Sequence, residues 1–112
     1  MSPNTVQGST LVFANGKSRT FQFPIADVME YPDTAVVRLD VPPGSTLNEN
    51  VFGVDDLGSI VWQVPNRKYV YADSPYTGMQ RQGDHAVLFN WDGLELTVDA
   101  ATGKVVREGY GR

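Results

Sequence analysis

Residues Asp84–Glu108, DHAVLFNWDGLELTVDAATGKVVRE, decide the fold. Leu94, Leu96 and Val98 alternate with Glu95, Thr97 and Asp99. That period of two marks a strand with one buried face. Asp92-Gly93 precedes it and suits a tight hairpin, because glycine, and tolerably aspartate, adopts positive φ. Asp99-Ala-Ala-Thr-Gly103 follows it. There the Asp carboxylate can accept backbone N–H groups at the start of a turn that Gly closes in the left-handed region. Lys104–Glu108 then returns as the next strand. The stretch reads as three short antiparallel strands joined by two tight turns.

The same punctuation occurs earlier, between Asp33 and Gln63. Val54-Asp55-Asp56-Leu57-Gly58 leads into Ser59-Ile60-Val61-Trp62, and Asp33-Thr34-Ala35-Val36-Val37 parallels Asp84-His85-Ala86-Val87-Leu88. Two copies of a strand meander follow, with Asp33 matching Asp84 and Gly58 matching Gly103. The first copy carries the longer connection, Pro42 to Asn50, where the second has only Trp91-Asp92-Gly93.

The whole reads as one all-β domain, 1–112: an N-terminal hairpin (10–23), a first meander (28–64) and a second meander (76–109). About eight to ten antiparallel strands would form a sandwich or barrel, with the hairpin covering an edge. Residues 1–9 are polar, and fraying is expected there. Thr10–Ala14 and Ser18–Phe23 flank Asn15-Gly16, a strong hairpin signal, with Phe13, Phe21 and Phe23 inward. Ile25, Val28 and Met29 have helical spacing, but the repeat favours a strand from Val28 to Tyr31. In Ala35–Val41, Ala35, Val37, Leu39 and Val41 line one face, with Arg38 and Asp40 on the other. Ile60, Trp62 and Val64 share a face in the strand Ser59–Val64. Tyr76–Arg81 is expected to be a strand matching Val28–Tyr31, which leaves Pro65–Pro75 as a loop.

Composition narrows the chemistry. The 112 residues contain no cysteine and one histidine. Disulfides, thiolate metal sites and ordinary zinc sites are thereby removed. A Ser-His-Asp triad would need His85, and no G-x-S-x-G elbow exists. Asp55, Asp56 and Asp99 read as turn caps, since the alternating acidic pattern of a calcium loop is missing. No phosphate-binding glycine motif occurs. Neither a cofactor nor a metal is expected. The net charge of −4 gives no broad basic field, which disfavours nucleic acid. No apolar run is long enough to span a bilayer, and Met1-Ser2-Pro3-Asn4 is unlike a signal peptide. A cytoplasmic protein is the expectation.

One feature stands above background. Arg67, Lys68, Tyr69, Tyr71, Tyr76, Met79 and Arg81 fall within one short span. Tyr and Arg are enriched at interface hot spots, being large with a polar handle. Core packing under the loop is an equal reading. With Trp91 close by if the halves stack, the candidate binding residues are Arg67, Tyr69, Tyr71, Tyr76, Arg81 and Trp91. The functional expectation is a non-enzymatic interaction module, homo-oligomeric or binding a protein partner. The alternative is a small-molecule binder or enzyme with an aromatic-lined pocket between sheets.

Two resemblances bear on this. Val54–Gln63 and Leu96–Val106 resemble blade hairpins of quinoprotein-type β-propellers, in which an Asp-x-x-x-Gly turn precedes an apolar strand that often carries Trp. The resemblance implies a strand pattern and no functional residue, since two blades cannot close a propeller of roughly four to eight. Stacking as a sandwich and assembly with other copies into a closed ring both satisfy the alternation. Asn50-Val51-Phe52-Gly53-Val54-Asp55, Ser74-Pro75-Tyr76-Thr77-Gly78 and Asn90-Trp91-Asp92-Gly93 are similar to a group of small uncharacterised bacterial all-β proteins, which implies no activity.

Overall fold

The computed structural model describes residues 4–110. Among these residues eleven strands form three antiparallel sheets. The N-terminal sheet holds β1 (Thr5–Gln7), β2 (Thr10–Val12) and β3 (Ser18–Thr20). The middle sheet holds β4 (Ile25–Glu30), β5 (Ala35–Leu39), β6 (Val51–Val54) and β7 (Ile60–Gln63). The C-terminal sheet holds β8 (Tyr76–Gln82), β9 (His85–Asn90), β10 (Leu94–Asp99) and β11 (Val105–Tyr110). In every sheet each strand pairs with its neighbour in sequence, so all three are meanders.

The two four-stranded meanders repeat in detail. Asp55 Oδ1 accepts the Leu57 and Ser59 N–H groups at 3.0 and 2.9 Å, and Gly58 follows at φ +84°. Asp99 Oδ1 accepts those of Ala101 and Thr102 at 2.9 and 3.2 Å, and Gly103 follows at φ +76°. Even the irregularity recurs. Val54 pairs Ile60 and Gly53 pairs Trp62, skipping Val61; Val98 pairs Val105 and Thr97 pairs Arg107, skipping Val106. A bulge of this kind leaves one residue unpaired and increases local twist. Arg107 therefore holds the place of Trp62.

The sheets stack face to face around two apolar layers. Leu11, Phe13 and Phe21 of the N-terminal segment meet Ala35, Val37, Leu39, Phe52 and Val54. Val36, Val51, Trp62 and Val64 of the middle segment meet Tyr76, Leu88, Leu96 and Val98. The middle sheet has no solvent face, so β6, VFGV, is buried throughout. That is why its strands read as apolar runs and not as clean alternation.

The all-β meander sandwich stands as expected, built of three stacked antiparallel sheets, and among the described residues no barrel closes. Several expectations need correction. Eleven strands exceed the expected eight to ten. The N-terminal segment covers a face of the middle sheet, not an edge. Of residues 1–9, taken as frayed, Thr5–Gln7 pair with β2, and residues 1–3 lie outside the described range. The strand before Tyr31 begins at Ile25, so its helical spacing has no structural counterpart. Ile60 is 43% exposed while Trp62 and Val64 are buried, because the bulge breaks the alternation at the start of β7. Phe13, Phe21, the strand over Tyr76–Arg81 and the loop Pro65–Pro75 fall where the sequence puts them.

Candidate functional site

The loop of residues 65–75 crosses from β7 to β8 and is pinned by the segment before β6. Glu49 Oε2 accepts hydrogen bonds from Asn66 Nδ2 at 3.0 Å and the Tyr69 hydroxyl at 2.9 Å. Asn48 donates to the Ala72 carbonyl at 2.9 Å and accepts the Ser74 N–H at 2.8 Å. Asn90 Nδ2 donates to the Ser74 carbonyl at 2.8 Å. Asn50 is fully buried and joins the two larger sheets: its Oδ1 accepts the Tyr76 N–H at 2.7 Å, and its Nδ2 donates to the Leu39 and Tyr76 carbonyls at 2.8 and 2.9 Å. A buried amide is tolerated when its donors and acceptor are satisfied in this way.

Inside this anchor Tyr76 is 1% exposed and its hydroxyl has no hydrogen-bond partner. Burial raises its pKa to about 12, opposed by the charge of Arg67 beside it. Burial is also the largest cause raising Tyr69, with Tyr76 and the Glu49 carboxylate adding to it. Arg67 pairs with Glu108 at 2.8 Å across to β11, while its Nε is buried without a partner.

The tip of the loop does the opposite. Val70, Tyr71 and Trp91 are 63%, 57% and 65% exposed. Their two loops are tied together: the Val70 N–H donates to Asp92 Oδ2 at 3.0 Å and the Trp91 N–H to the Pro75 carbonyl at 3.0 Å. Asp92 Oδ1 accepts the Leu94 N–H at 2.9 Å, which fixes the turn that carries Trp91. Three large apolar side chains thus project from a braced platform at one end of the C-terminal sheet.

With that geometry in hand, comparison with known proteins is informative about family and fold. A family model described as a domain of unknown function, DUF7957, matches residues 1–110. The chain belongs to the DUF7957 family. No curated protein matches it. The fold of the DUF7957 chain is similar to the crystal structure of the computationally designed Ika8 protein, with a TM-score of 0.60 at 14% identity. The likeness covers 97% of this chain and 36% of that one, so the DUF7957 chain spans little more than a third of that protein's length.

The six residues singled out from the DUF7957 sequence fall into three groups. Tyr76 is interior, with half-buried Arg67 and Tyr69 beside it, and these hold the loop. Tyr71 and Trp91 form the exposed platform, joined by Val70, which the sequence reading passed over. Arg81 stands at the far end of β8, roughly 17 Å along the strand from Tyr76 at about 3.3 Å per residue. There its guanidinium lies 4.2 Å over the Tyr31 ring and donates to the Glu30 carbonyl. The other missed residues are Glu49, Asn50 and Asp92, polar side chains flanking strand or turn signals. Nothing in a single sequence separates such a buried linker from an ordinary loop residue.

Two clefts flank the Tyr31–Thr34 turn of the DUF7957 chain. One, of about 220 Å³, is lined by Phe13, Asn15, Glu30, Tyr31, Asp33 and Asp56. The other, of about 240 Å³, holds Asp33, Asp84 and Asp99 with Tyr31. Among the described residues no group of three or more His, Asp or Glu is placed to hold a metal ion. Among the described residues no helix is long and apolar enough to cross a membrane.

Proposed function

We propose that this chain is a non-enzymatic interaction module that self-associates and offers Val70, Tyr71 and Trp91 to a protein partner. The observation that carries the reading is the exposure of these three side chains on loops already braced by hydrogen bonds. Large aromatics with few rotatable bonds bring contact area at small entropic cost, and a braced platform leaves less to order on binding. Tyr and Trp are the residues that dominate interface energetics. The acidic net charge of −4 suits a protein partner better than a phosphate backbone.

Selection of a random peptide library against the folded chain tests this. Enriched peptides should lose at least tenfold in affinity for a Tyr71→Ala/Trp91→Ala variant, which corresponds to about 1.4 kcal/mol. Peptides that bind wild type and variant alike would remove the platform from the reading.

A small-molecule site is the second reading, favoured by the cleft holding Phe13 and Tyr31. Its 220 Å³ falls below the roughly 300 Å³ at which ligand pockets begin, so it ranks behind. A ligand screen that raises the melting temperature of wild type but not of Tyr31→Ala would reverse that order.

A further inference from the structure

The sheets interlock twice by one device. The last strand of each sheet sends a side-chain donor into the glycine turn of the next sheet. Arg19 on β3 donates to the Gly58 carbonyl at 2.6 Å, and the Trp62 indole on β7 donates to the Ala100 carbonyl at 2.9 Å. In return the turn glycine presses on that strand. A Cβ on Gly58 would lie 2.7 Å from the Ser18 carbonyl oxygen, and one on Gly103 would lie 2.6 Å from the Trp62 indole.

Each end of the stack carries half of this device, unfilled. Gly16, at φ +89° between β2 and β3, is the counterpart of Gly58 and Gly103, yet a Cβ there would meet nothing within 4 Å. Arg107, which holds the place of Trp62 in the bulge register, reaches among the described residues no further than Gln82 Oε1 at 3.5 Å. Beside it Glu95, Thr97, Gly109 and Tyr110 line a shallow open hollow.

We infer that a second copy of this chain completes both halves, its N-terminal sheet stacking on the outer face of the C-terminal sheet, so that two copies close a six-sheet ring. The inference rests on the reading of the chain as a self-associating module and names the surface used. The molecule has the shape this needs. Its extents are 40 × 32 × 19 Å, and the 19 Å matches the roughly 20 Å length of a six-residue strand. The sheets therefore fan out within a slab one strand thick. The first strands of the middle and C-terminal sheets converge, with β4 and β5 against β8, while the Trp62 indole fills the space between their last strands.

The end faces suit each other. Strand alternation puts Thr5, Gln7, Thr10, Val12, Ser18 and Thr20 on the outer face of the N-terminal sheet, with no charge among them. Buried Val87, half-buried Phe89 and Glu95, and exposed Arg107 lie on the opposing face. Two three-sheet stacks supply six sheets, within the roughly four to eight that close a ring of this kind. Head-to-tail contacts that close in this way leave no free end face. A fold of this form also covers 36% of a longer chain in the designed protein.

Light scattering on size-exclusion fractions of the full chain tests the ring. Wild type should show twice the 12.3 kDa chain mass. Arg107→Glu and Thr10→Arg should each halve that mass with unchanged circular dichroism, and Trp91→Ala should leave it doubled. Should one of the two face variants unfold, the other decides. A wild-type mass equal to one chain overturns both the ring and the self-association reading. A doubled mass that survives both face variants, or that Trp91→Ala alone abolishes, overturns the ring and leaves self-association standing. Any higher mass overturns the two-copy closure.

Discussion

Asn50→Ala should destabilise the fold by about 2–6 kcal/mol. The wild-type amide makes three hydrogen bonds of 2.7–2.9 Å at a site with no solvent exposure. Truncation strands the Tyr76 N–H, and an orphaned buried donor costs about 1–3 kcal/mol. The Leu39 and Tyr76 carbonyls lose a donor each, for about 0.5–1.5 kcal/mol apiece. Against a total stability of about 5–15 kcal/mol, the loss takes a large share. Urea unfolding followed by circular dichroism should show a lower midpoint at unchanged slope, which marks a stability change without a change in the denatured state. The melting temperature should fall by about 15 °C. Asn50→Asp separates hydrogen bonding from volume. It keeps an acceptor for Tyr76 but turns oxygen toward two carbonyls, so it should be at least as damaging as Ala. If Asn50→Ala shifts stability by less than about 1 kcal/mol, the amide does not join the sheets and the reasoning is refuted.

Other expectations follow from close contacts and titrating groups. Gly53→Ala would place a Cβ 2.1 Å from the Trp62 indole, so about 2–3 kcal/mol should be lost and Trp62 fluorescence should shift to the red. Gly109→Ala, where a Cβ meets nothing within 4 Å, should leave fluorescence and melting as in wild type. Tyr76→Phe removes a buried hydroxyl without a partner and should be neutral or stabilising by about 1 kcal/mol. The same change should flatten the alkaline limb of stability. A tyrosine whose folded pKa is raised contributes in full below the unfolded value of about 10, and that contribution is lost as pH climbs through the folded value. For Tyr76 the folded value is about 12. Chemical denaturation across that window should show a shallower fall in Tyr76→Phe than in wild type, and equal slopes would rule out Tyr76 as a source of the dependence.

Much of this fold was legible from residues alone. The two Asp-to-Gly turns located both four-stranded meanders, because an aspartate that accepts N–H groups followed by a left-handed glycine is local chemistry that needs no tertiary partner. Strand faces were legible where one side meets water, as in Leu94–Asp99. They were not in β6, since a strand buried on both faces carries no alternation. Thr5–Gln7 carry no apolar signal and are ordered by pairing with Thr10–Val12. The candidate site was half legible. Tyrosine and arginine enrichment singled out the loop of residues 65–75, but composition does not say which tyrosine faces in. Tyr69 and Tyr71 differ by two residues, yet the Tyr69 hydroxyl is held by Glu49 while Tyr71 is 57% exposed.

The middle sheet's lack of a wet side has a consequence for evolution and for engineering. Excising residues 4–20 would lay bare Ala35, Val37, Leu39, Phe52 and Val54 together, and excising residues 76–110 would do the same for Val36, Val51 and Trp62. Either fragment would present a broad sticky slab, prone to clump before it could settle. Recombination can therefore trade this unit whole, whereas removing either outer layer uncovers an apolar face at once.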